Sequence, residues 1–147
     1  MKPVIIGMHN AKSDDPKDAM EPDTFNGAGE RLWRMISDVC GCTKQDYLTR
    51  FELMNVLNQK EWVVADAKIA AGMLRFRLGK RHCFVLGKEA WAALNLPGNV
   101  GWFKTERSYT GAKYTLLPHP SGKNLMYNDA KIRVKVGQML TKAGGWT

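Results

Sequence analysis

Tyr114-Thr115-Leu116-Leu117-Pro118-His119-Pro120-Ser121-Gly122-Lys123-Asn124 is a short apolar run that ends at a histidine bracketed by two prolines and followed by Ser-Gly. The run has the composition of a buried strand, so His119 is fixed where a strand passes into a loop. Open α/β sheets bind their ligands beyond the carboxyl ends of the strands, and chemistry is expected there. Pro118 and Pro120 restrict the backbone on both sides of His119, and Gly122 lets the chain approach a ligand closely. Such stiffness suits a histidine that must point at something. The same local features also describe a rigid surface turn carrying an exposed histidine.

Upstream of this strand, short apolar runs alternate with helical patterns, the arrangement of a parallel sheet covered by helices. The first strand is expected over residues 4–8, ending in Gly7-Met8-His9-Asn10. The following residues, 11–29, are rich in Asp, Pro and Gly and too many for an idle turn. A helix over 28–39 follows from Leu32, Met35, Ile36 and Val39 at helical spacing, with Gly41 as its stop. Further strands are expected over 51–57 and 82–86, with a helix over 65–78 between them. A short helix over 88–96 stops at Pro97-Gly98, residues 99–113 form an irregular loop, and a last helix covers about 128–142. These elements predict one domain over residues 1–147, a three-layer α/β/α sandwich around a central four-stranded parallel sheet.

The length of 147 residues is enough to bury one core without disulfides or metal. Hydrophobic residues make up 44% and charged residues 24%, an ordinary balance for a soluble protein, and no apolar run has the length of a membrane span. The first residues lack the features of an export signal. Cys40, Cys42 and Cys83 match neither a zinc pair nor a redox pair, so reduced, structural thiols in a cytoplasmic protein are expected, with no metal or cofactor. The net charge of +8 is unevenly divided: residues 1–73 carry 9 Lys and Arg against 11 Asp and Glu, and residues 74–147 carry 13 against 3. If Arg75, Arg77, Lys80 and Arg81 share a face with Lys131, Arg133 and Lys135, that face attracts a polyanion such as nucleic acid. A basic balance is equally common in proteins that bind none.

Compared together, the strand ends resemble those of the uracil-DNA glycosylase superfamily, nearest in pattern to its mismatch-specific members. Gly7-Met8-His9-Asn10 resembles the first motif, a Gly followed two residues later by Asp or Asn and then Pro, and His119-Pro120-Ser121-Gly122 resembles the second. Gly29 to Ile36 is similar to the helix after the first motif. Leu53-Met54-Asn55-Val56-Leu57 is similar to the strand carrying the base-reading asparagine, and Phe84 to Lys88 to the third-strand turn. The resemblance covers nearly the whole chain in order. It implies an enzyme that flips a uracil- or thymine-type pyrimidine out of DNA and hydrolyses its glycosidic bond, reading the base edge with hydrogen bonds and its face with an aromatic ring; a monomer is the simplest expectation, although the sequence does not fix the oligomeric state. Asn55 would read the edge, since an amide offers both donor and acceptor; it could equally close a strand end. Phe25 would stack on the base, or simply pack under its loop. His119 would donate to the carbonyl oxygen where charge develops as the base departs. Ser121, Gly122, Lys123 and Asn124 would contact the DNA backbone or the gap left by the base.

The chain departs from the family at the first motif, where His9 falls on the water-positioning Asp or Asn and Asn10 falls on the Pro. A histidinium would repel the sugar cation formed as the bond breaks, so neutral His9, or Asn10 shifted by one residue, would orient the water; Asp14, Asp15 or Asp18 could also reach back. A different chemistry fits His9 as a general base, because a histidine's ordinary pKa lies near the working pH. Some viral proteins resembling this fold are thought to transfer an amino acid or amine onto an activated 5-hydroxymethylpyrimidine in DNA. Such a protein, from a bacteriophage, would work in the host cytoplasm with a free amino acid or amine as co-substrate, its acidic loop holding the ammonium. A third alternative keeps the fold as a DNA-binding module without catalysis.

Overall fold

Val4-Ile5-Ile6 offers no polar side chain to either face and is fully buried, as a strand covered on both sides must be. The computed structural model describes residues 1–10 and 13–146, so Ala11, Lys12 and Thr147 lie outside it. The strands are β1 (Val4–His9), β2 (Glu52–Leu57), β3 (His82–Leu86), β4 (Thr105–Arg107) and β5 (Lys113–Leu117). They form one sheet in the order β2-β1-β3-β5-β4. The first three neighbouring pairs are parallel, and β4 runs antiparallel to β5.

Alternate residues of each strand feed two cores. Val4, Ile6, Val85 and Leu116 pack under α3 (Val64–Leu78) and α4 (Lys88–Ala93), whereas Ile5, Phe84 and Leu117 pack under α1 (Ala28–Cys40), α2 (Lys44–Arg50) and α5 (Ala130–Ala143). This is a three-layer α/β/α arrangement. Gly41 caps α1 in the left-handed conformation at φ 71°, as its position in the sequence implies. α2 starts at a reciprocal capping box between Thr43 and Asp46.

The sheet corrects the expectation of four parallel strands and of an irregular stretch over 99–113. The added strand, β4, reads Thr-Glu-Arg, with no apolar alternation to announce it. Backbone bonds hold it at the edge: Phe103 N–H donates to Leu116 at 2.7 Å and Leu116 N–H to Lys104 at 3.1 Å. The side chains of Thr105 and Thr115 add a hydrogen bond of 2.7 Å. A polar edge strand needs no buried side chains of its own and discourages further pairing. No helix among the described residues is long and apolar enough to cross a membrane. All three cysteines are free; burial pushes the Cys42 and Cys83 thiols up to about 12, which leaves them poor nucleophiles.

Candidate functional site at the carboxyl ends of the strands

Parallel pairing sets Gly7 of β1 opposite Asn55 of β2. A β-carbon at Gly7 would collide with the Asn55 amide oxygen and meet Met20 Sδ at 3.0 Å, so glycine is what lets the Asn55 side chain lie over β1. From there Asn55 Nδ2 donates to Asn10 Oδ1, and Asn10 Nδ2 donates to the Asp15 carbonyl at 2.7 Å. Both asparagines are buried. They form an amide relay that ties the loop after β1 to β2 and satisfies polar groups that would otherwise cost about 1–3 kcal/mol each. Asn10 is engaged at both ends of its amide. Asn55 keeps capacity at its oxygen, which can take two bonds.

His9 ends β1 beside Trp62, with ring centroids 6.1 Å apart, and its Nδ1 is buried without a hydrogen-bond partner among the described residues. Across β3, His119 follows β5 by two residues. On the strand between those of the two histidines, β3 is followed by Gly87, at φ 95° and ψ 158°, where any side chain would be strained; a methyl would touch His119 Cβ at 3.4 Å and lie 3.7 Å from Glu89 Oε2. Burial holds His119 below the usual histidine range, with His9 pushing the same way and the Glu89 carboxylate opposing. His119 is therefore neutral at neutral pH, able to donate from one ring nitrogen and accept at the other.

The loop carrying His119 is braced from below. Asn124 Nδ2 donates to the His119 carbonyl at 2.9 Å while its oxygen accepts from Met126 N–H at 3.1 Å, and the buried Tyr127 hydroxyl donates to the Pro118 carbonyl. Asn124 thus shapes the loop, and the neighbouring Gly122 and Lys123 are exposed while Ser121 is half-buried. Arg31 of α1 reaches the same loop: a β-carbon at Gly122 would lie 3.0 Å from its Nη2. Phe25 projects into solvent, 74% exposed, with the Arg34 guanidinium 5.8 Å from its ring centre. Its loop is tied to α1 through buried Glu30, which accepts from Asn26 N–H at 3.0 Å and pairs with Arg34 at 3.2 Å.

The structure therefore brings His9, Asn10, Asn55, His119 and the Ser121–Asn124 loop to one edge of the sheet and leaves Phe25 at its outer rim. Sequence reasoning missed Trp62, Glu89 and Arg31, whose relevance depends on which loops the strand order makes neighbours. The two basic clusters do not share a face. Arg81 precedes β3 at the opposite edge, where it pairs with Glu52 and donates to the Lys2 carbonyl at 3.0 Å. Lys80 covers Gly111 just before β5, and Arg75 donates to the Leu94 carbonyl at 2.9 Å. Lys131, Arg133 and Lys135 belong to the start of α5 on the histidine side, where Arg133 donates to the Tyr127 carbonyl. A cavity of about 630 Å³ lies between the loops after β1 and β2, lined by Ser13, Asp14, Gln59, Lys60 and Glu61. No protein-family model matches the chain, and no curated protein matches it significantly.

Proposed function

We propose that the protein acts on a uracil- or thymine-type pyrimidine flipped out of DNA and hydrolyses its N-glycosidic bond, in the manner of the uracil-DNA glycosylase superfamily. The observation that carries this reading is that His9 and His119 stand at the carboxyl ends of β1 and β5, the two strands that flank β3, close enough for His9 to help depress the His119 pKa, with Arg31 beside the Gly122 loop. A base docked beside them would have its departing charge stabilised by a hydrogen bond from neutral His119, while His9 would orient water toward the sugar carbon. Asn55 would accept from the base edge through the oxygen lying over Gly7, and Trp62, which stands beside His9, would replace the solvent-exposed Phe25 as the stacking ring. Ser121, the exposed Gly122 and Lys123 and the half-buried Arg31 would hold the DNA backbone. The enzyme would act in the cytoplasm.

The test is incubation with oligonucleotides carrying uracil or 5-hydroxymethyluracil, followed by alkali to cleave abasic sites. Cleavage that falls by about 100-fold in His119→Gln supports the assignment. Uncut strands on every such substrate overturn it.

One observation favours group transfer as a second reading. The cavity beside the β1 loop carries the carboxylates of Asp14 and Glu61 with the ammonium of Lys60, a set that complements the ammonium and carboxylate of a free amino acid. His9 would then be the general base that takes the proton of the amine as it attacks the pyrophosphorylated 5-hydroxymethyl carbon, whose C–O bond breaks with pyrophosphate as the leaving group. Mass spectrometry of DNA bearing the pyrophosphorylated base, after incubation with amino acids, separates the two; an unchanged nucleoside removes the transfer reading.

A further inference from the structure

The outer face of α3 carries Ile69, Met73 and Phe76 exposed to 68%, 69% and 91%, at the i, i+4, i+7 spacing that forms one stripe. The inner face of the same helix buries Ala67, Ala71, Leu74 and Leu78, so α3 is apolar on both sides. A solvated face would not be built from three large apolar side chains in register. Gly72, within the stripe, has nothing within 4 Å of where a β-carbon would stand. Another backbone can therefore come close.

We propose that this face is a homodimer interface, in which α3 packs antiparallel against α3 of a second copy of the chain. The charge pattern selects this occupant. Asp66 lies in the first turn and Arg77 in the last, both exposed and on the same flank of the stripe by the 100° step of the helix. A two-fold axis near the Gly72–Met73 bond sets Ile69 against the partner's Phe76, seats Met73 at the partner's Gly72 and brings Asp66 beside the partner's Arg77, twice over. Lys68, on the far flank, stays clear of the partner's Arg77. A stripe with acid at one end and base at the other is complementary to itself only in this antiparallel sense, and isologous contacts of this kind close at two copies. No residue of the strand-end site takes part.

Sedimentation equilibrium of the whole chain over the micromolar to submillimolar range tests the proposal. The expected result is a dimer that Met73→Glu converts to a monomer with its helical circular dichroism intact, since Met73 touches no core. Asp66→Arg and Arg77→Asp should each weaken the dimer by about tenfold, a difference of roughly 1.4 kcal/mol. The double variant, with the charges exchanged, should restore it. A wild type that remains monomeric throughout assigns the stripe to a different protein and overturns the dimer. So does a dimer that survives Met73→Glu, or a double variant as weak as the singles.

Discussion

The two edges of the sheet are polar in different ways. At the carboxyl edge, Asn10 and Asn55 are buried, His9 and His119 half-buried, and the asparagines are linked by hydrogen bonds that run through the interior. At the amino edge, Lys2, Lys17, Arg77 and Arg81 surround an open cavity of about 840 Å³, with Glu52 as the only acid lining it among the described residues. Charges kept in water cost little, whereas neutral polar groups withdrawn from water must be matched atom by atom. A large positive excess in the C-terminal half therefore does not mark the edge at which polar groups are withdrawn from water. The close-fitted amides and the glycine that admits them do.

The comparison breaks most visibly at Gly7. A methyl there displaces the Asn55 amide and leaves both asparagines short of partners, so Gly7→Ala should destabilise the fold by about 2–4 kcal/mol in urea unfolding. Lys17→Ala, at the other edge, should change it by no more than about 0.5 kcal/mol. Equal effects would mean that the relay is not what holds the carboxyl edge.

What was legible in the sequence follows the same division. β1, β3 and β5 are continuous apolar runs because helices cover both faces, and α1 shows itself through Leu32, Met35, Ile36 and the stop at Gly41. β4 and α2 escaped because neither needs a strong apolar pattern: one is a polar edge held by backbone bonds, the other a two-turn helix fixed by a cap. The site was readable as a set of strand ends, His9, Asn55 and His119. Its wiring was not, because Asn55 meets Asn10 across 45 residues and only the parallel register of β1 with β2 decides it. Charge clusters misled for a related reason. α3 delivers Arg75 and Arg77 to the amino edge, while α5 starts at the carboxyl edge with Lys131, so similar sequences end up at opposite poles.

A smaller effect should appear in nucleic-acid binding. If the carboxyl edge is the docking face, Arg31→Ala and Lys123→Ala should each weaken affinity for a DNA oligonucleotide and lower the slope of log K against log salt by about 1. Arg77→Ala and Lys80→Ala should leave the slope unchanged, although they remove as much charge. A slope that falls equally for all four variants would place the DNA on overall charge and dissolve the distinction between the edges.

The smallest expected effect separates two histidines, one at each edge. His82 opens β3 at the amino edge, its Nε2 2.7 Å from Thr115 Oγ1, and it too is held below the usual range, by burial first and Lys113 second. A histidine whose folded pKa is depressed binds its proton more readily when unfolded. Its stabilising contribution is therefore complete above about pH 6.5 and lost as the pH falls from there through the folded value. Each of His82 and His119 can steepen the acid side of the stability curve by at most one proton, about 1.4 kcal/mol per pH unit, and His82→Gln or His119→Gln should remove its own share. The difference appears on adding a short DNA strand. Phosphates docked at the carboxyl edge would favour protonated His119 and raise its pKa toward the ordinary value, so the His119 share should shrink in the complex while the His82 share persists. Were both shares to shrink together, the strand would be bound along the protein's general positive field, and His119 would lose its place as the histidine that faces the ligand.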